Sequence, residues 1–410
     1  MKALVFRGIG NISLEEVKDP VIQDEKDVIV KITVSAICGT DLHLIRGTVQ
    51  NMKTDTILGH EGVGIVEEVG SNVQKFKVGD RVIIPSTIGC GHCKYCKQEI
   101  YSQCDNANPN GKEAGTVYFG GPKESGPLNG MQAEKVLVPF ADANLIKIPN
   151  DITDEQVILL SDILPTAYMA VENADIQPDD TVAVFGCGPV GQLVIECLKK
   201  YKHKKIFAID RIKCRLEMAQ KNGATIINFD EVDPVKELKN LTNGDGPTKV
   251  IDAVGIDAQQ PQHGGIINYF KNYSLKKQFS QEVADVAPHR NEDYGNWVPG
   301  DGPSQVLQWA VDVVSKNGII SIIGVYVPAL RFFPIGKAMG KNLTIRMGDC
   351  NHHKYIPKLI QWVQSGEFDS KKFVTQKLPF EMIVDAYKHF DKREDKWIKV
   401  ILTLNGGEND

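Results

Sequence analysis

Four cysteines stand close together in the first third of the chain, in a C-x2-C-x2-C-x7-C spacing. Four thiolates on a short loop can complete a tetrahedral shell around Zn²⁺, and such a closed shell leaves no position for a substrate. The spacing therefore predicts a structural zinc site formed by Cys90, Cys93, Cys96 and Cys104. An iron–sulfur cluster uses similar ligands but usually in another arrangement. A disulfide cluster is disfavoured, because cysteines so near in sequence rarely reach disulfide geometry.

A glycine-rich turn follows the apolar run from Thr181 to Phe185 and precedes a segment that we expect to be helical to about Lys200. In G-x-G-x-x-G between a strand and a helix, the second glycine lets the backbone approach a pyrophosphate, and the third allows close helix–strand packing. The helix N-terminus favours the phosphate charge. The turn therefore predicts a dinucleotide site at Gly186, Gly188, Pro189, Val190 and Gly191. An ordinary turn is the alternative.

Asp210 indicates which dinucleotide this turn would bind. It ends the next predicted strand, 19 residues after Gly191. A carboxylate there can accept hydrogen bonds from the ribose hydroxyls of NAD and repel the 2′-phosphate of NADP. Arg211 follows at once and is a residue type that binds such a phosphate. We expect NAD as the cofactor, with NADP as the alternative.

Length and composition limit the class of protein. At 410 residues, the chain suggests two or three domains of about 100 to 200 residues each. The net charge is −5 and the basic residues form no stripe, which gives no indication of nucleic-acid or membrane binding. The N-terminal residues do not resemble a signal peptide, so we expect a cytoplasmic protein. Nine cysteines fit a reducing compartment, and four outside the predicted metal sites are interpreted as packing residues: Cys187, Cys197, Cys214 and Cys350.

The pattern of apolar residues changes near residue 165. Short alternating runs typical of a β-rich region come first, at Asp27 to Ala36, Gly62 to Val69 and Asp80 to Ile84. Beyond residue 165, predicted strands alternate with predicted helices, the strands at Thr181 to Phe185, Lys205 to Ile209, Ala224 to Asn228, Lys249 to Ala253 and Gly318 to Gly324. Strands separated by helices predict an α/β fold with a doubly wound parallel sheet.

Three further segments carry a resemblance to a known family. Cys38 lies in Ile-Cys-Gly-Thr-Asp-Leu-His, His60 in Leu-Gly-His-Glu-Gly-Val-Gly, and Asp162 in Leu-Ser-Asp-Ile-Leu-Pro-Thr. Together with the cysteine cluster, they resemble the zinc-dependent medium-chain alcohol dehydrogenases over nearly the whole chain. The resemblance implies a GroES-like β-rich catalytic domain and a Rossmann NAD-binding domain. We expect the former at residues 1–164 and 329–410 and the latter at 165–328, with an insertion at about 256–304.

The third of these segments is similar to the branch that contains glutathione-independent formaldehyde dehydrogenase, as is the stretch from Gly130 to Leu145. This resemblance implies that Cys38, His60 and Asp162 bind a catalytic zinc ion, the second Zn²⁺ of each chain. It also implies that Glu61 lies beside the zinc or binds it transiently. In members of that branch the insertion covers the adenine end of NAD. An oligomer contact or a mobile loop is the alternative for this segment.

The resemblance also assigns roles in catalysis. Zinc with three protein ligands keeps a position open and lowers the pKa of a bound hydroxyl, so a hydride can pass from an alcohol to NAD. Thr40 would accept the proton and pass it to His43 near solvent, while Asp41 braces the site. The alternative for His43 is a plain surface imidazole. Lys399 would hold the cofactor pyrophosphate, and a solvated lysine at a strand end is its alternative.

The function expected is NAD-dependent interconversion of a small primary alcohol and its aldehyde, with formaldehyde as one candidate and dismutation as a variant. A polyol or amino-alcohol dehydrogenase of the same family is the first alternative. A non-catalytic nucleotide-binding protein with a structural or regulatory role is the second. We expect a homo-oligomer, a tetramer or a dimer, as in the family. His352 and His353 are interpreted as part of an exposed loop.

Overall fold

The computed structural model describes residues 1–262 and 273–404, and it divides them into two compact units. Unit 1 comprises Met1–Thr166, His289–Trp297 and the chain from Asp349 onward. Unit 2 comprises Ala167–Pro288 and Val298–Gly348.

Strands dominate unit 1 and alternate with helices in unit 2. The strands are β1 (Lys2–Gly8), β2 (Asn11–Glu16), β3 (Val28–Ile37), β4 (Gly62–Val69), β5 (Arg81–Ile84), β6 (Lys135–Val138), β7 (Ile146–Lys147), β8 (Thr181–Phe185), β9 (Lys205–Asp210), β10 (Thr225–Asn228), β11 (Lys249–Asp252), β12 (Ile319–Ile322), β13 (Thr344–Met347), β14 (Gln376–Pro379) and β15 (Val400–Thr403). The α-helices are α1 (Gly39–Arg46), α2 (Ala141–Asn144), α3 (Asp154–Val157), α4 (Ile163–Ala174), α5 (Pro189–Leu198), α6 (Lys213–Lys221), α7 (Pro234–Leu241), α8 (Tyr273–Val286), α9 (Gln305–Val313), α10 (Ile335–Gly340), α11 (His352–Gln364) and α12 (Ile383–Asp391).

The main sheet of unit 1 is built around β3, and its strand order is β14-β15-β3-β4-β5-β7, with β6 also pairing with β3. β3 is rich in Val and Ile and is buried at all but one position, as expected of a central strand. It runs antiparallel to β4, with Ser35 opposite Gly62, and to β15, with Ile37 opposite Val400. The C-terminal end of β3 and the N-terminal ends of β4 and β15 therefore lie side by side at one end of the sheet.

The sheet of unit 2 is parallel, with six strands in the order β10-β9-β8-β11-β12-β13. The five strands predicted from the sequence are all present, each within two residues of its predicted ends. The order reverses beside β8, and ligands of open α/β sheets bind at the carboxyl ends of the strands at such a point. The predicted fold class is thus confirmed, as a β-rich part and a doubly wound parallel sheet.

The boundaries between the units differ from the predicted ones. The chain returns to unit 1 at Asp349, not at about residue 329, because β13 adds a sixth strand beside β12. The sequence did not reveal β13, since it is an edge strand with only one residue that is not exposed. Part of the predicted insertion, 263–272, lies outside the described residues. Most of the rest is in unit 2, where α8 buries Phe279 and Glu282 accepts a hydrogen bond from the Ser304 amide at 3.0 Å.

A short piece of the predicted insertion, His289–Trp297, belongs to unit 1 instead. The carboxylate of Asp391 explains why. It accepts hydrogen bonds from the Trp297 amide at 2.7 Å and from Asn296 Nδ2 at 3.2 Å. It also forms an ion pair with Arg46 at 2.7 Å, and both side chains of that pair are buried. This carboxylate therefore ties α1, α12 and the inserted piece together.

No helix in the described part of the chain combines the length and the apolar character that spanning a bilayer requires.

We predict that Asp391→Asn destabilises the protein by about 3 kcal/mol or more, because removing one partner of a buried ion pair leaves an uncompensated charge. Unfolding in urea measures the effect. Asp385→Asn is the matched control, an exposed aspartate of the same helix, and it should change stability by less than about 0.5 kcal/mol. Equal effects of the two substitutions would contradict the role given to Asp391.

Candidate active site

The three predicted ligands of the catalytic metal lie together in unit 1. Cys38 follows β3 directly, and His60 stands two residues before β4. Asp162 Oδ2 lies 3.5 Å from Cys38 Sγ and 3.3 Å from His60 Nε2. Each of these three residues and Glu61 offers one ligand atom, and the four atoms lie within 4.8 Å of one another. Thiolate, imidazole and carboxylate are the donors that zinc takes in proteins, so this group fits the predicted ion. Its role as the metal site stays a prediction.

The imidazole of His60 is held by Asp41. His60 Nδ1 lies 3.1 Å from Asp41 Oδ1. The other carboxylate oxygen of Asp41 accepts hydrogen bonds from the Cys38 amide at 3.0 Å and from Gln132 Nε2 at 3.4 Å. A carboxylate on one ring nitrogen fixes the orientation of a metal-binding histidine and leaves the other nitrogen for the metal. Asp41 is thus in a position to brace the site rather than a neighbouring loop, and that role stays a prediction.

Asp162 has its two oxygens in different surroundings. Oδ2 faces Cys38 and His60, whereas Oδ1 is surrounded by hydrogen-bond donors: His352 Nε2 at 2.8 Å, Ser86 Oγ at 3.2 Å and Thr166 Oγ1 at 3.4 Å. Burial alone would raise the pKa of Asp162, but the hydrogen bonds from His352 and His60 outweigh it and hold this pKa well below its usual range. The carboxylate is therefore ionised at neutral pH and ready to bind a cation.

The prediction that His352 and His353 form an exposed loop is wrong. They begin α11 and are only 2% and 8% exposed. Their burial follows from the apolar face of that helix, on which Tyr355, Ile356 and Leu359 are also buried. His352 stands one helical turn before the first of these residues, a spacing that places it on the same face. This periodicity in the sequence would have revealed the buried histidine.

Glu61 and Lys399 form a buried ion pair beside the candidate metal ligands. Lys399 Nζ lies 2.7 and 2.5 Å from the two carboxylate oxygens of Glu61, and it also donates to the Ile37 carbonyl at 3.0 Å. Lys399 is only 1% exposed, so it is not the solvated strand-end lysine considered as an alternative. Its contact with a cofactor pyrophosphate stays a prediction, as does the participation of Glu61 in metal binding.

The two residues of the predicted proton relay both lie in α1, Thr40 in its first turn and His43 in its last. Thr40 Oγ1 lies 3.9 Å from Cys38 Sγ, beside the candidate metal ligands. His43 is buried, with Nδ1 2.9 Å from Thr48 Oγ1, whereas the sequence interpretation placed it near solvent. The difference arises because α1 is enclosed from Asp41 to Arg46. The proton relay itself stays a prediction.

The four cysteines of the predicted structural site converge as well. Their sulfur atoms lie within 4.8 Å of one another, and all nine cysteines, each within the described part of the chain, have free thiols. Backbone amides donate to the sulfurs. The Cys90 amide donates to Cys104 Sγ at 3.2 Å, and the Cys93 amide donates to Cys90 Sγ at 3.4 Å. Burial raises the pKa of Cys93, but backbone donors beginning with Cys96 outweigh it and lower this pKa to about 6. Burial raises the pKa of Cys96 and Cys104 instead. The backbone donors therefore favour a thiolate, the form that binds zinc, at Cys93 but not throughout the cluster.

The glycine-rich turn in unit 2 has the shape of a phosphate cradle. Gly186 has a left-handed φ of 88°, and α5 begins at Pro189 with Gly188 as its N-cap. A Cβ at Gly191 would lie 1.9 Å from the Gly186 carbonyl oxygen, so packing alone requires that glycine. A Cβ at Gly188 would meet only Arg215 Nη1, at 3.6 Å. Neither packing nor backbone conformation therefore explains Gly188, whereas the close approach of a pyrophosphate would.

Asp210 and Arg211 stand at the carboxyl end of β9. Asp210 accepts hydrogen bonds from the amides of Cys187, Arg211 and Ile212 at 2.7, 2.7 and 2.9 Å. It thereby holds the glycine-rich turn beside the end of its own strand. The Arg211 guanidinium forms an ion pair with Asp230 at 2.8 Å and also contacts Gln259 at 3.3 Å. Arg211 is thus occupied within unit 2, which lowers its availability for a 2′-phosphate.

Both parts of the chain match known protein families. A family model described as "Alcohol dehydrogenase GroES-like domain" matches residues 24–150. One described as "Zinc-binding dehydrogenase" matches residues 189–269. The two matches fall in the β-rich part and in the parallel-sheet part respectively.

Whole-chain comparisons agree with these matches. A zinc-type alcohol dehydrogenase-like protein, AdhB, of Bacillus subtilis is 38% identical over 98% of this chain and 100% of its own. The structure of alcohol dehydrogenase TADH from Thermus sp. ATN1 superposes with a TM-score of 0.79, at 32% identity, over 99% and 100% of the two chains. A glutathione-independent formaldehyde dehydrogenase of Pseudomonas aeruginosa is 34% identical over 64% of this chain and 68% of its own.

The chain therefore belongs to the zinc-dependent medium-chain alcohol dehydrogenase family, and the predicted resemblance to that family is confirmed. It is an oxidoreductase of the zinc alcohol dehydrogenase type.

We predict that Gly188→Ala weakens NAD binding by about tenfold or more, equivalent to about 1.4 kcal/mol, because the new methyl group occupies the space that a pyrophosphate needs. The thermal stability of the Gly188→Ala variant should stay near that of the wild type. Gly191→Ala is the matched contrast and should lower stability, since its Cβ overlaps a carbonyl oxygen. Titration with NADH and thermal unfolding separate the two effects. Unchanged NADH affinity in Gly188→Ala would remove the argument for a cradle at this turn.

Proposed function

We propose that the protein is a zinc- and NAD-dependent dehydrogenase that interconverts a small primary alcohol and the corresponding aldehyde. The observation that carries this proposal is the convergence of Cys38, His60 and the Oδ2 atom of Asp162. Three protein ligands are characteristic of catalytic zinc sites, in which the fourth position takes the substrate or water. The four-cysteine cluster supports a second, structural ion, so we propose two zinc ions in each chain.

Zinc in such a site acts as a Lewis acid on the substrate oxygen and lowers the pKa of an alcohol. The surrounding side chains have separate tasks. Asp41 orients His60, while the donors around Oδ1 of Asp162 direct its other oxygen toward the metal position. The hydroxyl of Thr40, 3.9 Å from Cys38 Sγ, would take the substrate proton, and the buried pair of His43 and Thr48 would pass it on. A positioned group of this kind accelerates proton transfer by about 10²- to 10⁴-fold.

We propose NAD as the cofactor rather than NADP. The carboxylate of Asp210 stands at the end of the second strand of the nucleotide-binding unit, where it suits ribose hydroxyls. Arg211, an adjacent cation that would favour NADP, is paired with Asp230. Both observations favour a ribose without a 2′-phosphate.

Formaldehyde or a similarly small aldehyde is the narrower proposal for the substrate. The third ligand is an aspartate in a segment that resembles the formaldehyde dehydrogenase branch, and a formaldehyde dehydrogenase is among the partial relatives.

A cytoplasmic location is part of the proposal. Nine free thiols, none of them in a disulfide, suit a reducing compartment.

Asp162→Asn tests the proposed catalytic centre. We expect wild-type protein to contain two zinc ions per chain, one for each candidate group, and to reduce NAD with primary alcohols. The variant should retain the zinc of the four-cysteine cluster, lose the other ion, and fall more than about a hundredfold in activity, because a neutral amide is a poor zinc ligand. Metal analysis and NADH absorbance provide the two readouts.

Asp179→Asn is the control for this test, since Asp179 is an exposed aspartate of unit 2. It should match the wild type in both readouts. Wild-type protein with two zinc ions, bound NAD and no turnover of any alcohol or aldehyde would instead favour the non-catalytic function considered above.

We further propose that two copies of the chain pair through β13. This strand ends the six-stranded sheet and, among the described strands, pairs only with β12. Its Met347 is 64% exposed, and Ile335 and Met339 of the preceding α10 are exposed as well. An edge strand with open hydrogen-bonding groups and apolar side chains is a template for pairing with another chain. A second copy of this chain is the partner that the family resemblance suggests.

We predict that Met347→Lys lowers the mass of the particle in solution, because a charge on an edge strand opposes pairing with a second edge. Light scattering after size-exclusion chromatography measures the mass. Met382→Lys, an exposed methionine of unit 1, serves as control and should leave the mass unchanged. A monomeric wild type, or a Met347→Lys particle of unaltered mass, would overturn the proposed interface.

A further inference from the structure

The first turn of α11 contacts two different metal-ligand groups of unit 1. Asn351, His352 and His353 are consecutive, yet their side chains have separate partners. His352 contacts the candidate catalytic ligand Asp162. Its two neighbours contact the segment that carries the four cysteines, where Asn351 Oδ1 accepts a hydrogen bond from the Ser102 amide at 3.0 Å. This short segment is therefore in a position to fix both groups.

The hydrogen bonds of His352 fix the orientation of its ring. An ionised carboxylate only accepts, so Nε2 carries the proton that is donated to Asp162 Oδ1 at 2.8 Å. Nδ1 lies 3.1 Å from the hydroxyl oxygen of Thr87, which itself donates to the Cys350 carbonyl at 3.4 Å. With both ring nitrogens engaged and the side chain 2% exposed, the imidazole has one orientation.

Asp162 needs such a partner more than the other ligands do. Its backbone lies at φ −149° and ψ −70°, outside helix and strand geometry, between the 3₁₀ turn Ile158–Ser161 and α4. Its carbonyl accepts the first hydrogen bond of α4, from the Thr166 amide at 3.1 Å, but that bond does not set the direction of the side chain. The donors around Oδ1 do so instead, and His352 makes the shortest of these contacts. When Oδ1 is held by the imidazole, Oδ2 faces Cys38 and His60.

His353 has a matching place beside the four-cysteine segment. Its Nε2 lies 2.9 Å from Asn144 Oδ1, and the same amide group pairs with both backbone groups of Gly89 at 2.9 Å. Gly89 directly precedes Cys90. The imidazole also stacks on Tyr101, with centroids 4.3 Å apart, and Tyr101 stands between Cys96 and Cys104. His353 therefore contacts the segment on both sides of its cysteines.

We propose that His352 and His353 are positioning residues with separate tasks, the first directing Asp162 toward the catalytic metal and the second fixing the four-cysteine segment around the structural metal. This inference rests on the proposed function, since it takes Cys38, His60 and Asp162 as the ligands of the catalytic ion. Neither histidine contacts substrate in this scheme. Each acts through the residue that it holds.

The test follows zinc release from the full-length protein to a chelator with a colorimetric zinc indicator. Asp162→Asn, which retains only the metal of the four-cysteine cluster, identifies the two phases of release. His352→Leu should weaken binding of the catalytic zinc by about 10- to 100-fold, the usual effect of losing a hydrogen bond to a metal ligand. It should leave the other zinc unchanged. His353→Leu should show the opposite pattern, with faster loss of the structural zinc.

His352→Gln is the conservative variant, because its amide can donate to Asp162 from nearly the position of Nε2. It should recover most of the lost zinc affinity. With Co²⁺ in the catalytic site, His352→Leu should also shift the visible absorption that reports ligand geometry, whereas His352→Gln should resemble the wild type. If His352→Leu does not fold, His352→Asn, whose shorter amide does not reach Asp162, provides the same comparison.

Two results would overturn the inference while leaving the proposed function intact. One is a wild-type affinity for both zinc ions in His352→Leu. The other is an equal loss of both ions in His352→Leu and His353→Leu, which would indicate a general packing role for the start of α11. A wild-type protein that holds a single zinc ion per chain, in the four-cysteine cluster, would overturn the proposed function itself.

Discussion

The register of β3 with its antiparallel neighbours is the constraint on which the candidate active site depends. The register places Ser35 opposite Gly62 and Ile37 opposite Val400. The residues that follow β3 and those that precede β4 and β15 therefore lie at the same end of the sheet. Cys38, His60 and Lys399 come from distant parts of the sequence and meet there for this reason alone. β3 is buried at all but one position, so a slip of one residue would place side chains of different shape in the close-packed surroundings on both of its faces, and this packing fixes the register. Hydrophobic packing of β3 thus determines where the ligands lie.

At that end of the sheet, the buried polar side chains occur in sets whose members contact one another. Asp41 faces His60, Asp162 faces His352, and Glu61 faces Lys399. In surroundings of low dielectric such contacts are strong when every member is satisfied, and an unpaired member is strongly unfavourable. The sets therefore resist rearrangement when a metal ion enters or leaves. A site held in this way is preorganised, which is the condition for electrostatic stabilisation of a transition state.

The sequence alone predicted the sites that lie within one short segment, but only part of the site that is formed by distant segments. The four cysteines and the glycine-rich turn are contiguous, so spacing and flanking strands identified them. Cys38, His60 and Asp162 lie in separate segments, each with an ordinary structural interpretation, and only family resemblance joined them. The burial of His43 and Lys399 depends on which helix or strand packs over them, and no local pattern fixes that, whereas the apolar face of α11 would have revealed the burial of His352. The assignment of His289–Trp297 to unit 1 has the same origin, since it depends on a distant carboxylate, that of Asp391.

The place of β15 in the main sheet has a consequence for how the protein is made. β15 lies directly beside β3 but follows every strand of unit 2 in the chain. Domains commonly fold as units during synthesis, beginning at the N-terminus. Unit 1 cannot do so completely, because β3 has no partner on that side, and Glu61 no ammonium, until β15 has been synthesised. Unit 2, synthesised in between, has all its strands available earlier. Unit 2 is therefore expected to be folded while unit 1 still lacks β15.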